Sequence, residues 1–491
     1  MRRSGVLLPI ASLPSRFGVG GMGKRARDFA DLLSASGQSV WQVLPLAIPD
    51  FVHSPYASPS AFAGDPLLID PAELVKDGFL TKEEIDSAAG PLAKTDYSRA
   101  ASVKGDLLCR AYRRFSENGT DEMREAFDAF CESARPWLSD FALFDAIRTS
   151  RGGAPLWEWE EELRIRRRSA IERTASALAE EIRYRKFLQF LFQRQLFALR
   201  AYLAERGISL LGDIPFYVSA DSADVWTHPE LFSDRDVAGV PPDFFTAEGQ
   251  LWGNPIYDWD RMATDGYAWF IKRLERCAEM YDEIRLDHFR AFDSYYAIPA
   301  EAKTAKTGEW RRGPGRSFFD VLYEKMPDIS LIAEDLGDIT PDVIALREYA
   351  RIPGMRILQF AFGGGADHAF LPHNYDRRTV VYLGTHDNDT AAGWWHLADA
   401  ETKKNAAAYL GITPDADDKT AVRTMMKAAS ASVADTVIFT LQDILIEGSE
   451  ARINTPAKIG GCWEYTAPET LGEEDFAYLR EITALYGRKQ S

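Results

Sequence analysis

Eight apolar runs along the chain limit what it can fold into. Parallel strands that are covered on both faces read as continuous apolar runs rather than as an alternation of apolar and polar residues. In chain order the runs are "GVLLPI", "QSVWQVLPL", "GISLLGDIPFYV", "DEIRLDHF", "ISLIAEDLG", "MRILQFAF", "TVVYLGTHD" and "DTVIFTLQDIL". Runs of this kind predict eight buried strands of a parallel sheet.

Segments with helical periodicity separate most of these runs. After the first run, "GKRARDFADLLSASG" places Phe29, Leu32 and Leu33 on one face and ends at Gly37, a residue suited to a helix C-terminus. Before the third run, "FLQFLFQRQLFALRAYLAERG" repeats leucine and phenylalanine at helical spacing. Strands that alternate with helices in this way predict an α/β fold, a (β/α)8 TIM barrel.

The runs are unevenly spaced, which predicts insertions in the barrel. We interpret residues 1–491 as a single (β/α)8 catalytic barrel, because no composition shift or linker marks a boundary. Residues 66–200 are expected to be a mainly helical insertion after strand 2. Residues 214–270 are expected to be an aromatic loop insertion after strand 3. A separate helical domain over residues 66–180 is the alternative.

Charge and cysteine content exclude several classes of protein. Lys+Arg 57 against Asp+Glu 74 gives a net charge of −17, which repels a phosphate backbone, so we predict neither a nucleic-acid nor a membrane partner. The opening "MRRSGVLLPIASL" superficially suggests a signal peptide, but its apolar run is short and contains Pro9, so we interpret it as a strand. No apolar run approaches the ~18 residues of a membrane span. Four scattered cysteines lack disulfide or zinc spacing and indicate a reducing, cytoplasmic compartment: Cys109, Cys131, Cys277 and Cys462.

Polar residues interrupt the apolar runs where the strands should end. The stretch "EIRLDHFRAF" carries several charged groups directly after a buried run, and three other runs end in the same way. The residues concerned are Asp213, Asp287, Glu334 and the segment 385–389. A solvated loop would explain any one of them, but chemistry in such barrels sits at the carboxyl ends of the strands. The repetition favours an active site.

Three carboxyl groups are expected to crowd one mouth of the barrel. Strand side chains alternate faces, so Arg285 and Asp287 should both point toward the barrel axis, where Glu334 and Asp387 also lie. Like charges at close range raise at least one pKa. We expect Arg285 to hold Asp287 ionised and Glu334 to keep its proton. One carboxylate beside one carboxylic acid is the pair of groups that enzymes use to cleave glycosidic bonds.

Aromatic and amide residues gather in the segments that follow the strands. Aromatic rings pack against the C–H faces of sugars, and amides and imidazoles bind the hydroxyls. Simple packing of the loops is the alternative for each aromatic residue. The residues are Tyr56, Phe244, Phe245, Tyr257, Trp252, Trp259, Trp394 and Trp395, alongside Gln250, Asn254, His288 and His386.

Two motifs suggest other chemistry. "GVGGMG" (residues 18–23) fits G-x-G-x-x-G, but several residues separate it from the preceding strand, so a glycine-bearing loop is favoured over a dinucleotide site. His386, Asp387 and Asp389 could ligate a metal, but no histidines at helical spacing accompany them. Hydrogen-bonding roles are favoured, and we predict no cofactor and no metal.

The chain resembles the amylomaltase or disproportionating-enzyme family, the 4-α-glucanotransferases. The resemblance runs nearly end to end and rests on many motifs. They are "LPSRFGVGGMG", "WQVLPL", "SPYASPSAFAGDPLLID", "LLGDIPFYVSADSADVW", "PPDFF", "GQLWGNPIYDW", "IRLDHFRAF", "IAEDLG", "LGTHDNDT" and "INTP". The resemblance implies a (β/α)8 barrel with inserted subdomains.

Carried over to matching positions, the resemblance implies Asp287 as nucleophile, Glu334 as acid/base and Asp387 as the third carboxylate. It further implies substrate contacts by Tyr56, Asp213, Trp252, Asn254, Arg285, His288 and His386, with Phe244, Phe245 and Gln250 on a flexible loop over the acceptor. The chain departs from the family after "INTP". There the family shows Asn-Trp followed by basic and aromatic residues, whereas "GGCWEYT" places Cys462 and Glu464. The resemblance therefore carries over no sugar-hydroxyl contact from this loop.

The function that follows is retaining transfer of α-1,4-glucan segments to the 4-hydroxyl of an acceptor glucan or glucose. Retention predicts a carboxyl separation of about 5–5.5 Å between Asp287 and Glu334. An aromatic lid from Phe244 to Trp259 is expected to favour the acceptor over water. The alternatives are an α-glucan hydrolase with the same mechanism and a glucan-binding protein without chemistry. Maltotriose products distinguish the first, and an Asp287→Asn variant distinguishes the second.

Overall fold

The computed structural model describes residues 2–92, 94–242, 247–456, 458 and 460–489. In these parts of the chain the strands are β1 (Arg3–Leu7), β2 (Val40–Gln42), β3 (Ser209–Ile214), β4 (Phe232–Val240), β5 (Gln250–Tyr257), β6 (Glu283–Leu286), β7 (Ser294–Pro299), β8 (Glu309–Arg312), β9 (Leu331–Ala333), β10 (Gly354–Ile357), β11 (Thr379–Tyr382) and β12 (Thr436–Thr440). The α-helices are α1 (Lys24–Ala35), α2 (Lys82–Ala88), α3 (Tyr97–Asn118), α4 (Asp121–Ser133), α5 (Arg135–Ser150), α6 (Glu161–Arg164), α7 (Arg168–Ala177), α8 (Ala179–Ala204), α9 (Ala223–Thr227), α10 (Trp259–Ala263), α11 (Ala268–Met280), α12 (Arg316–Lys325), α13 (Pro341–Tyr349), α14 (Ala391–Leu397), α15 (Ala400–Leu410), α16 (Asp418–Ala431), α17 (Leu441–Leu445) and α18 (Ala477–Leu485).

Eight of the strands close into a parallel barrel. Their order around the barrel is β1, β12, β11, β10, β9, β6, β3 and β2, and each neighbouring pair is parallel. Each of the eight apolar runs supplies one of these strands, and nearly all of their residues are buried. The predicted (β/α)8 barrel is therefore confirmed.

The first strand of the barrel comes from the basic, apolar opening of the sequence. β1 pairs with β12 on one side and with β2 on the other. The interpretation of this segment as a strand is confirmed. None of the helices in the described ranges combines the length and the apolar character that a membrane crossing requires.

A second sheet lies outside the barrel and was not predicted from the sequence. Strands β5, β4, β7 and β8 form it in that order, and all of its pairs are antiparallel. β4 reads "FSDRDVAGV", so charged residues break its apolar pattern. β4 and β5 follow barrel strand β3, whereas β7 and β8 follow β6. The sheet thus joins two connections on the carboxyl side of the barrel.

Helices α2 to α8 fill the long connection between β2 and β3. Buried residues of α3 and α8, such as Phe115 and Leu191, belong to the same apolar cluster as Val6 and Leu210 of the barrel strands. A shared core supports our proposal that residues 66–200 are an insertion in one barrel rather than a separate domain. We make the same proposal for residues 214–270, which contain α9, β4, β5 and α10.

A tight contact inside the barrel wall fixes the strand that carries Asp213. A Cβ atom on Gly212 would lie 2.2 Å from the ring of Tyr281. The Tyr281 ring is held in position, because its hydroxyl oxygen accepts a hydrogen bond from the backbone N–H of Leu46 at 3.0 Å. The close approach of strand and ring therefore requires glycine at position 212.

Replacement of Gly212 by alanine should destabilise the protein. Overpacking of a filled core costs about 1–3 kcal/mol. We expect Gly212→Ala to lower the free energy of unfolding by this amount in a urea titration. Gly105→Ala is the matched control, since nothing lies within 4 Å of its Cβ position in α3. That change should stabilise the helix by ~0.5–1 kcal/mol. Equal effects of the two variants would contradict the packing argument.

Candidate active site

Two carboxyl groups lie side by side at the ends of neighbouring barrel strands. Asp287 follows β6 and Glu334 follows β9, and the register pairs Leu286 with Ala333 immediately before them. The backbone N–H of Glu334 donates to the carbonyl of Leu286 at 3.0 Å. The N–H of Asp287 donates to Ile214 of the next strand at 3.1 Å. Parallel pairing therefore brings the two predicted catalytic residues together.

Glu334 is held by two backbone N–H groups. Its Oε2 accepts a hydrogen bond from His288 N at 2.8 Å, and its Oε1 accepts one from Leu336 N at 3.0 Å. His288 lies in the left-handed region (φ 47°, ψ 47°), an uncommon conformation for a residue with a side chain. This backbone conformation, at the turn after β6, directs the His288 N–H toward the carboxyl group of Glu334, to which it donates.

The pKa values of the two carboxyl groups differ. Burial raises the pKa of Glu334 to about 8, and the neighbouring charge of Asp287 adds to the rise while Arg285 opposes it. Burial also raises the pKa of Asp287, to about 6, although the Arg285 guanidinium lowers it. Arg285 was expected to hold Asp287 ionised and to leave the proton on Glu334. Burial outweighs the pull of Arg285 and raises the pKa of Asp287 above its usual value, but this pKa stays below that of Glu334, so Asp287 is the carboxylate and Glu334 the acid between about pH 6 and pH 8.

Arg285 connects Asp287 to a second, fully buried carboxylate. Its Nη1 donates to Asp213 Oδ2 at 2.6 Å, and its Nη2 lies 3.1 Å from Asp287 Oδ1. The side chain of Asp213 has 0% exposure and that of Arg285 has 4%, whereas Asp287 keeps 30%. Asp213 is therefore enclosed and binds Arg285, whereas Asp287 is the carboxyl group that is exposed at the mouth of the barrel.

Tyr56 and His386 extend this network across the barrel. The Tyr56 hydroxyl donates to Asp213 Oδ2 at 2.7 Å, and its oxygen lies 2.9 Å from His386 Nε2. The two rings are stacked, with centroids 5.4 Å apart. Tyr56 lies in the connection after β2 and His386 lies after β11, so residues distant in sequence meet at the carboxyl ends of the strands.

Asp387 completes the group of three carboxyl groups. Its Oδ2 lies 3.3 Å from His386 Nε2, and its Oδ1 accepts a hydrogen bond from Asn454 Nδ2 at 2.6 Å. Burial acts to raise the pKa of Asp387, but His386 and Asn454 together hold it well below its usual range. The charge of Asp387 in turn raises the pKa of Asp287, which places both carboxylates in one electrostatic environment.

The predicted sugar-binding residues have distinct surroundings. The Trp252 ring meets the His288 ring edge to face at 4.9 Å, and its Nε1 donates to Gln250 Oε1 at 3.0 Å. Trp252 is 38% exposed, which leaves ring surface for a ligand. Asn254 donates to the carbonyl of Val218 at 2.8 Å. Phe244 and Phe245 lie outside the described residues.

Three of the predicted aromatic residues do not line the mouth. Tyr257, Trp259 and Trp395 are at most 7% exposed. Tyr257 and Trp259 pack in an aromatic cluster with Phe270, and the Trp395 indole N–H donates to the carbonyl of Ala416. For these residues the packing alternative was correct, because their rings are buried among other side chains and backbone. Trp394 is half-buried against Phe362.

Residues of the loop after β12 were missed as individual site residues. Asn454 binds Asp387, and Arg452 Nη2 donates to the backbone carbonyl of Asp387 at 3.1 Å. The Trp463 ring lies 5.8 Å from that of Tyr56. The signal available in the sequence was the motif "INTP", which contains Asn454 but does not directly follow a strand. Cys462 is buried, with its Sγ 3.8 Å from the carbonyl of Thr455.

The acidic residues of "GTHDND" have different partners in the structure. Asp389 accepts hydrogen bonds from Ser449 Oγ at 2.9 Å and from Thr390 N at 2.8 Å, whereas Asp387 binds Asn454. Within the residues described, no group of three or more His, Cys, Asp and Glu side chains is placed to hold a metal ion.

A closed parallel barrel with three carboxyl groups at one mouth defines the class of glycoside-processing barrel enzymes. A profile described as 4-alpha-glucanotransferase matches residues 8–470. The 4-alpha-glucanotransferase of Thermus thermophilus is 43% identical over 98% of both chains, and that of Arabidopsis thaliana chloroplasts and amyloplasts is 43% identical over 99% of this chain and 86% of its own. The chain belongs to the 4-alpha-glucanotransferase family and is a glucan-transferring enzyme, which confirms the resemblance.

Solved structures agree with this assignment. The amylomaltase of Streptococcus agalactiae, in complex with acarbose, superposes with a TM-score of 0.94 at 37% identity and covers 100% of each chain. The amylomaltase of Corynebacterium glutamicum superposes with a TM-score of 0.79 at 18% identity, over 100% of this chain and 75% of its own, and shares the fold.

Removal of Arg285 should destabilise the protein. Arg285→Ala would leave Asp213 as a buried carboxylate with Tyr56 as its remaining side-chain partner, and breaking one side of such a pair costs about 3–5 kcal/mol. We expect a loss of this size in the free energy of unfolding, measured by urea titration. Asp213→Asn added to the same chain should recover part of it.

The exposed Arg312, which lies 3.5 Å from Asp293 with its own side chain 77% exposed, provides the control. Arg312→Ala should cost less than about 1 kcal/mol. A similarly small loss for Arg285→Ala would show that the buried pair is not a stabilising contact.

Proposed function

We propose that Asp287 is the nucleophile and Glu334 the acid/base of a retaining α-1,4-glucan transfer, with Asp387 stabilising the transition state. The observation that carries this assignment is the adjacency of two carboxyl groups with different pKa values. A retaining enzyme needs one ionised carboxylate and one protonated carboxyl group about 5–5.5 Å apart. Asp287 and Glu334 follow paired strands. Between about pH 6 and pH 8, Asp287 is ionised and Glu334 is protonated, as the requirement for one carboxylate and one acid demands.

The first half of the reaction forms a covalent intermediate. Asp287 attacks the anomeric carbon of the donor glucan, and the bond from that carbon to the glycosidic oxygen breaks as Glu334 gives its proton to the oxygen. The leaving glucan departs with a free 4-hydroxyl group. Glu334 is then a carboxylate, and the donor segment is held as an ester of Asp287.

The second half repeats these events in reverse with a different alcohol. Glu334 removes the proton from the 4-hydroxyl of an acceptor, whose oxygen attacks the anomeric carbon and displaces Asp287. The result is a new α-1,4 bond with the original configuration. The two backbone N–H groups on Glu334 keep its oxygens in place through both proton transfers.

Asp387 and its neighbours are assigned to the donor sugar. The oxocarbenium-like transition state carries positive charge, which an ionised carboxylate at this position stabilises. Because its pKa is far below the usual range, Asp387 stays ionised throughout the working range. Burial lowers the pKa of His288 to about 3, so its neutral ring is suited to exchanging hydrogen bonds with sugar hydroxyls. Trp252 supplies an aromatic surface beside it.

Donors and acceptors follow from this chemistry. We assign maltooligosaccharides and amylose as donors, and the same glucans or glucose as acceptors. The amylomaltase of Streptococcus agalactiae was solved in complex with acarbose, which supports an α-glucan as the substrate of this chain. The segment from Phe244 to Trp259, which includes β5 and ends in the buried residues Tyr257 and Trp259, remains our candidate for the lid that excludes water. The free thiols of the described cysteines support a reducing, cytoplasmic location.

Incubation with maltotriose tests the proposed function. Transfer predicts glucose and a ladder of longer oligosaccharides, with total reducing ends constant in time, as measured by chromatography and a reducing-sugar assay. Asp287→Asn should lower turnover by several orders of magnitude, because the amide cannot form the ester.

The matched control is Asp282→Asn, which makes the same change immediately before the first residue of β6. There the Asp282 side chain accepts a hydrogen bond from Leu210 N and pairs with Arg200. This variant should keep its activity. Reducing ends that rise with time would indicate the hydrolase alternative. Undiminished turnover by the Asp287→Asn variant would contradict the assignment of Asp287 as the nucleophile.

A further inference from the structure

The third carboxylate is held by a loop that comes from another strand. Asp387 lies after β11, whereas its hydrogen-bond donor Asn454 lies in the loop after β12 and α17. We infer that Asn454, itself held by Arg452, is a positioning residue that fixes the orientation of the Asp387 carboxylate for the reaction. This inference rests on the proposed function, in which Asp387 stabilises the transition state.

Three hydrogen bonds tie the two loops together, and a fourth braces the loop of Arg452 and Asn454 internally. Asn454 Nδ2 donates to Asp387 Oδ1 at 2.6 Å, and Asn454 N donates to the carbonyl of His386 at 3.0 Å. Arg452 Nη2 donates to the backbone carbonyl of Asp387 at 3.1 Å, and its Nε donates to the carbonyl of Asn454 at 3.3 Å. Both the backbone and the side chain of Asp387 are therefore held from the same loop.

Asp387 needs such a contact because its surroundings leave it free to turn. Its side chain is 42% exposed, and His386 Nε2, at 3.3 Å, is shared with the Tyr56 hydroxyl. The amide of Asn454 supplies the shorter contact. The charged or titratable groups that face Asp387 from the packed elements are His386, Arg285, Asp287, Tyr56 and Arg452. Without Asn454, attraction to Arg285 would compete for the carboxylate.

The chemistry of the contact requires a donor at position 454. An ionised carboxylate only accepts hydrogen bonds, so the amide must present its NH2 group to Asp387. Hydrogen bonds to charged groups are stronger than those between neutral groups. Alanine would remove the donor. An ionised aspartate would replace it by a second acceptor of like charge, and a protonated aspartate would again be a donor.

Steady-state kinetics with maltotriose tests the inference. Because the contact aligns Asp387 for the transition state, Asn454→Ala should lower kcat by about 10- to 100-fold with KM nearly unchanged. Asn405→Ala is the matched control, since its amide donates to a backbone carbonyl, that of Phe362, at 3.2 Å. The control should keep kcat within about twofold. Urea titrations of both variants establish that they are folded at the assay temperature.

The Asn454→Asp variant adds a readout that a merely structural role would not move. Two adjacent carboxyl groups share a proton at low pH, which restores a donor between positions 454 and 387. The ratio of kcat for Asn454→Asp to kcat for Asn454→Ala should therefore rise as the pH falls from about 7 to about 5. A ratio independent of pH, or a loss that appears in KM alone, would overturn the inference.

A further variant separates this inference from the proposed function. Asp387→Asn should lower kcat more than Asn454→Ala does, and Asn454→Ala added to Asp387→Asn should have little further effect. Unchanged kcat in Asp387→Asn would overturn the role of Asp387 in the proposed function. A large loss in Asp387→Asn together with normal kcat in Asn454→Ala would overturn only the positioning role.

Discussion

One guanidinium group, that of Arg285, contacts two carboxylates, and the chemistry of the site depends on this interaction. Asp213 holds the cation from the buried side at 2.6 Å, and Asp287 meets it from the open side at 3.1 Å. Without the cation, burial alone would keep Asp287 protonated to a higher pH. Arg285 also opposes the rise in the pKa of Glu334. Because Asp287 lies closer to the cation, the two carboxyl groups separate into a carboxylate and an acid.

The barrel and the three carboxyl groups could be predicted from the sequence because both depend on local pattern. Strands buried on both faces must be continuously apolar, so each barrel strand was visible as a run. A charged residue directly after such a run must lie at the carboxyl end of the barrel. The positions of Asp287, Glu334 and Asp387 at three strand ends followed from that rule. The motif resemblance then supplied their separate roles.

The features that could not be predicted depend on contacts between distant segments. β4 contains charged residues and becomes a strand by pairing with β5 and β7, which no local pattern indicates. Asn454 reaches Asp387 across 67 positions of sequence. The buried positions of Tyr257 and Trp395 were also not visible, because a sequence does not distinguish an aromatic residue that lines a site from one that packs beneath it. Net pKa values likewise require burial, which outweighed the pull of Arg285 on Asp287.

The pH dependence of kcat/KM tests most directly whether the environment divides the two carboxyl groups into nucleophile and acid. Asp287 must be ionised and Glu334 protonated, so kcat/KM for maltotriose should rise through about pH 6 and fall through about pH 8. With a glucosyl fluoride donor, whose leaving group needs no proton, Glu334→Gln should keep the rise and lose the fall. A fall near pH 8 that persists in Glu334→Gln, or a flat profile for the unmodified enzyme, would contradict the assignment.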